Sequence, residues 1–218
     1  MIARTDAQLD TLIDLLANSP TAADAYNEYT VPDSNNVIRR ANLKLYLQMM
    51  VERQPNTMIV MEAPGYRGCR LTGVPVTSRK VMLEGVPELD MFGVDQGFQN
   101  VDDVGFERVY GEQSATIVWG TLANLEVVPF IWNTFPFHPH KKDQPLTNRK
   151  PRKPETRLGG EILKHIIELW HFERIVAIGN VAYDTLSGLE IDCVKVRHPA
   201  QGGKNDFVAG LTDIFKSD

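Results

Sequence analysis

Four short apolar segments, at 57–62, 127–132, 174–179 and 191–197, constrain the fold of this chain more than any other feature. Each is short enough for a buried strand, and the stretches between them contain segments with helical periodicity. Strands that alternate with helices usually form a parallel sheet with helices on both faces. The sequence therefore predicts an α/β fold, a three-layer α/β/α arrangement around a central, mostly parallel four-stranded sheet.

Capping residues, apolar periodicity and prolines predict six helices around these strands. No Pro-, Gly- or Ser-rich linker divides the chain, so we expect one domain over residues 1–218, with N-terminal helices in 1–56 and the sheet in 57–218. The glycine-rich segment 66–113 is too long for a plain connection, and such loops are often functional. The predicted helices run from Thr5 to Ser19, from Ser34 to just before Pro55, from Ser114 to Leu125, from Arg157 to His171, from Asn180 to Leu186 and from Asp206 to Phe215.

The chain is acidic overall but carries a local basic segment. Its 218 residues have a net charge of -5, which gives no global attraction to nucleic acid. The segment from residue 141 to residue 157, however, contains seven basic residues and only two acidic ones. Such a segment is either a phosphate-binding surface or a solvated loop with a chance surplus of charge. The basic residues are Lys141, Lys142, Arg149, Lys150, Arg152, Lys153 and Arg157.

Cysteine content and hydropathy predict a cytoplasmic protein. The two cysteines, Cys69 and Cys193, indicate neither a disulfide framework nor a four-cysteine cluster. The first ten residues contain early acidic side chains and no apolar run of signal-peptide length. No segment approaches the roughly 20 apolar residues that span a bilayer, so we expect no membrane association.

Three of the four predicted strands are followed by a polar residue suited to one pocket: Glu62, Asn133 and His198. A carboxylate can orient or deprotonate water, an amide can read a heterocycle edge, and a histidine can donate to an oxygen that becomes negative. Each residue also has an ordinary structural interpretation, as a solvated cap, a loop hydrogen bond or a turn. Ligands bind at the carboxyl edge of parallel sheets, so the three together predict a site there.

The motifs around these residues resemble those of the uracil-DNA glycosylase superfamily, especially its iron–sulfur branch. Residues 61–65 (Met-Glu-Ala-Pro-Gly) resemble its G-E-x-P-G motif, and 198–200 (His-Pro-Ala) resemble its H-P-S motif. Asn133, with Asn-Arg-Lys-Pro at 148–151, is similar to that branch's strand-end Asn and later N-R-x-P. The resemblance covers about residues 57–216, in the order found in the family.

The resemblance implies a monofunctional DNA glycosylase that removes uracil or a related deaminated base in base-excision repair. We expect a monomer that binds DNA and uses no cofactor. Such an enzyme takes the target nucleotide out of the stack and hydrolyses its N-glycosidic bond. The resemblance implies catalytic roles for Glu62 and His198. It also implies base-binding roles for Asn133, Ala63, Gly65 and Tyr66, and phosphate-binding roles for Lys141, Lys142, Arg149, Lys204 and Asn205.

The chain departs from the family at several positions. It lacks the four cysteines of the iron–sulfur branch, so we expect no cluster. The Pro-Phe that commonly supplies a base-stacking ring is Pro75-Val76 here, which leaves Tyr66, Phe92 or Phe98 as candidates for stacking. Strict uracil enzymes carry a Tyr where this chain has Gly65. Two alternatives therefore stay open: a catalytically inactive nucleic-acid-binding protein of the same fold, and a nucleoside or nucleotide hydrolase.

Overall fold

The computed structural model describes residues 5–31 and 33–216 and contains a four-stranded parallel sheet, in which the strands at 130–133, 57–61, 174–178 and 194–196 lie side by side in that order. The ends of the predicted domain, 1–4 and 217–218, and residue 32 lie outside the described residues. The strands are β1 (Ala25–Tyr26), β2 (Thr57–Met61), β3 (Phe130–Asn133), β4 (His138–Pro139), β5 (Arg174–Ile178) and β6 (Val194–Val196). The α-helices are α1 (Asp6–Asn18), α2 (Ser34–Arg53), α3 (Cys69–Thr72), α4 (Arg79–Glu84), α5 (Gln113–Leu125), α6 (Lys153–Trp170), α7 (Gly179–Gly188) and α8 (Lys204–Lys216).

The α/β class and the parallel sheet confirm the prediction. Strand β2 pairs with both β3 and β5, and every residue of β2 is buried. Helix α7 packs against β2, β5 and β6, and α8 packs against β6 and α5. This arrangement is compatible with three α/β/α layers. Among the described residues, no helix is both long enough and apolar enough to cross a membrane.

Several element boundaries differ from those predicted, for local reasons. Strand β3 begins at Phe130 rather than at residue 127, because Pro129 lacks the N–H that a ladder bond needs. Helix α6 begins at Lys153, four residues before the predicted Arg157. There the Glu155 carboxylate accepts a hydrogen bond from the Arg152 N–H (2.7 Å), which satisfies a donor before the first turn.

Long-range contacts order the segment 66–113, which forms two short α-helices and two 3₁₀ turns rather than the irregular loop predicted. The buried Arg79 guanidinium donates hydrogen bonds to the carbonyls of Val101 and Phe106. The buried Arg39 on α2 pairs with Asp103 in the same segment. These contacts fix the segment beside the carboxyl ends of the strands.

Candidate active site

A cleft of about 760 Å³ lies at the carboxyl ends of β2, β3 and β6, and Glu62, Asn133 and His198 all line it. Met61 pairs with Asn133 in the sheet register. Beyond the strands, Thr134 N–H donates to the Met61 carbonyl (2.7 Å) and Phe135 N–H donates to the Glu62 carbonyl (3.1 Å). These bonds hold the two segments side by side, so the sheet itself sets the spacing of Glu62 and Asn133.

The Glu62 carboxyl is partly buried between the cleft wall and solvent. Burial raises its pKa above the ordinary value, and the positive charge of Lys150 opposes that rise. Lys150 also lines the cleft. A carboxylate with a raised pKa accepts a proton from water more readily than an exposed one.

The Asn133 side chain is available to a ligand. The residue is 3% exposed and lines the cleft. Within residues 5–31 and 33–216, its amide has no protein hydrogen-bond partner. A buried amide facing a cleft can donate and accept at once, which suits recognition of a heterocycle.

The His198 ring is held as a neutral hydrogen-bond donor. The Ala200 N–H donates to Nδ1 of His198 (3.1 Å), so in the neutral ring the proton is on Nε2. Burial lowers the pKa of His198, against the opposing charge of Glu112. Gly179, which has a positive φ of 83°, lies against this residue, and a Cβ there would lie 3.3 Å from His198 Cβ. The ring can therefore donate from Nε2 at neutral pH.

The structure separates the residues expected to bind the base. Ala63 and Gly65 line the cleft, whereas Tyr66 is not part of the lining. Phe92 and Phe98 are both packed in the core, with ring centres 5.4 Å apart. They cannot stack on a base in the cleft. Val76 does line it.

The residues expected to bind phosphate are also dispersed. Arg149 lines the cleft, but its guanidinium bonds both carboxylate oxygens of Glu155 (2.6 Å each) and Asp24 Oδ1 (3.2 Å). Lys141 and Lys142 are exposed outside the cleft lining. Lys204 and Asn205 line a separate groove between α5 and α8.

Sequence reasoning gave no role to several polar residues of the cleft. They include Lys195 and Arg197, which flank the buried Val196 immediately before His198. This alternation around one buried residue could have indicated them. Glu112 offers no such signal, because the folding of the segment 66–113 places it in the cleft lining. Thr77 also belongs to this group, whereas Asn148 and Lys150 lie in the Asn-Arg-Lys-Pro motif that the sequence analysis singled out, and Lys150 also in its basic segment.

His138, which precedes the basic segment, is fully buried and connects two loops beside the cleft. Its Nδ1 lies 2.8 Å from the Pro64 carbonyl and its Nε2 lies 3.1 Å from the Pro145 carbonyl. Burial lowers the pKa of His138 to about 4. Within the described ranges, no three His, Cys, Asp or Glu side chains are grouped to hold a metal ion.

Comparison with known proteins gives no family assignment. No protein-family model matches the sequence, and no curated protein matches it significantly. The geometry of the cleft and the motif resemblance are therefore the basis for a functional proposal.

Proposed function

We propose that this chain is a DNA glycosylase that hydrolyses the N-glycosidic bond of uracil or a related deaminated base, with a uracil-DNA glycosylase-like fold. The observation that carries the proposal is the convergence of Glu62, Asn133 and His198 from three strand ends on one cleft. The motif order along the chain supports the same proposal.

The proposed roles follow from the environment of each side chain. Glycosidic bond cleavage creates positive charge on the sugar and negative charge on the departing base. Glu62 holds the attacking water, accepts its proton and offsets the charge on the sugar. His198 donates from Nε2 to the base oxygen on which negative charge develops, and Asn133 binds the amide-like edge of the base.

The charge of the cleft also favours a DNA substrate. Apart from Arg149, whose charge is paired with Glu155 and Asp24, its lining contains three basic side chains (Lys150, Lys195 and Arg197) and two acidic ones (Glu62 and Glu112), although the chain has a net charge of -5. Local positive charge attracts a phosphate backbone even on an acidic protein.

An oligonucleotide panel tests the proposal. Labelled strands containing uracil, hypoxanthine, xanthine or a G·T mismatch are incubated with the protein, and abasic sites are detected by alkaline cleavage. We expect cleavage at one or more of these bases, lost in Glu62→Ala and His198→Ala. DNA binding without excision would indicate the inactive binding protein instead. Release of bases from free nucleosides would favour the nucleoside hydrolase.

A further inference from the structure

A mixed aromatic and cationic surface adjoins the cleft. Arg67 Cζ lies 5.2 Å from the centre of the Tyr66 ring and 5.1 Å from that of Tyr110. Phe106 lies beneath, with its ring centre 6.4 Å from Tyr66 and 5.9 Å from Tyr110. We call Tyr66, Arg67 and Tyr110 the rim platform.

The rim platform is accessible and carries an available charge. Arg67 is exposed, Tyr66 and Tyr110 are half-buried, and Phe106 is 4% exposed. Within residues 5–31 and 33–216, Arg67 has no carboxylate partner in an ion pair. Its guanidinium is therefore free to meet an anion while remaining over the two rings.

The rim platform is continuous with the proposed active site. Gly65 lines the cleft and is followed directly by Tyr66. The Tyr66 N–H donates to Oδ1 of Asn148 (3.0 Å), and Asn148 lines the cleft as well. A nucleotide next to one held in the cleft would thus lie close to the rim platform.

We propose that the rim platform stacks an unpaired base beside the excised nucleotide, which makes single-stranded DNA the substrate class of this site. The inference rests on the proposed glycosylase function. Aromatic rings stack on any base, and an arginine adds cation–π and phosphate contacts, a combination typical of single-strand binding. In duplex DNA the faces of the bases are already covered by their neighbours, so the rim platform offers little to a duplex.

Fluorescence anisotropy with undamaged oligonucleotides tests the inference. A labelled thymidine oligonucleotide and a duplex of equal length are titrated with wild type, Tyr66→Leu and Tyr66→Phe. We expect Tyr66→Leu to weaken single-strand binding about tenfold or more, because the stacked ring is lost. Tyr66→Phe keeps the ring and should bind like wild type, and duplex affinity should be unchanged in both variants.

Arg67 provides a second test that removes no ring, and its side chain is exposed. Arg67→Ala and Arg67→Lys should both weaken single-strand binding, because Lys keeps the charge but not the planar group. Wild-type single-strand affinity in Arg67→Lys would overturn the inference, and so would unchanged single-strand affinity in Tyr66→Leu or in Arg67→Ala. An equal loss of affinity for the duplex would also overturn it. Anisotropy requires no excision, so a failure of the proposed glycosylase activity is scored separately in the oligonucleotide panel.

Discussion

The ionisation of Glu62 depends on two opposing effects that can be separated by mutation. Burial raises the pKa of its carboxyl, and the charge of Lys150 opposes this rise. We expect Lys150→Met to raise the pKa of Glu62 further, because the nearby positive charge is lost. The acid limb of kcat/KM against pH should then move to higher pH at low ionic strength.

Lys150→Arg is the matched control for this shift, because it preserves the charge. Its acid limb should stay near that of wild type. An unmoved limb in Lys150→Met would contradict the assignment of Lys150 as the residue that favours ionised Glu62.

The proposed donor role of His198 predicts a graded loss of rate. His198→Ala removes an Nε2–H donor from a residue that lines the cleft, and removing one such donor typically costs about 10²–10³ in kcat. His198→Gln places an amide N–H near the same position and should lose less. Single-turnover excision measures both rates, while anisotropy checks that DNA binding persists. Equal rates in the two variants would contradict a donor at Nε2.

Helix α6 supports the cleft through one close approach. A Cβ on Gly159 would lie 1.8 Å from the Thr134 carbonyl oxygen, next to Asn133. Gly159→Ala should therefore destabilise the protein by about 3 kcal/mol and displace Asn133, which lowers activity. A Cβ on Gly120 in α5 would meet nothing within 4 Å, so Gly120→Ala should stabilise by about 0.5–1 kcal/mol. Urea denaturation measures the free energy of unfolding of both variants. Similar changes in the two would contradict the close approach of Gly159 to Thr134.

The Arg149 network connects the basic segment to α6. Burial raises the pKa of Glu155, but hydrogen bonds from Arg149 and the Arg152 N–H bring it below the ordinary value. Arg149→Met should cost about 3 kcal/mol at neutral pH, because Glu155 and Asp24 lose their shared partner. The Glu155 contribution is present above the unfolded pKa of about 4.3 and is lost as pH falls. The difference in melting temperature between wild type and Arg149→Met should therefore shrink as the pH is lowered. A difference that stays constant with pH would contradict this role of the Arg149–Glu155 pair.

Local pattern predicted the strands and most helices, but not elements held by distant contacts. Apolar runs sufficed for β2 and β5, because their side chains are buried whatever their neighbours. The two-residue pair of β1 and β4 joins residues more than 100 positions apart, and no short-range signal marks it.

Within the cleft, Glu62, Asn133 and His198 were predictable since parallel strands share one carboxyl edge. The orientation of Tyr66 was not, because its ring packs against Phe106, a contact that no local pattern marks.

The N-terminal helices and the sheet share one continuous core. The Tyr46 hydroxyl on α2 accepts from the Ile131 N–H (2.7 Å) and donates to the Ile131 carbonyl (2.9 Å) on β3. Leu9 and Leu12 of α1 belong to the same buried cluster as β2. We therefore expect a single cooperative unfolding transition, with coincident tryptophan fluorescence and circular dichroism curves. Two separated transitions would contradict a single domain.

The intact mass of single-stranded oligonucleotides after incubation with the protein tests the proposed function without a coupled cleavage step. Strands that each contain one uracil, hypoxanthine or xanthine are compared with the same strands treated with His198→Ala. We expect that at least one strand loses the mass of its base and gains a hydroxyl, and that His198→Ala leaves it nearly intact. Unchanged masses for all three strands, both alone and annealed to their complements, with folded wild-type protein would contradict the assignment of the cleft as a glycosylase site.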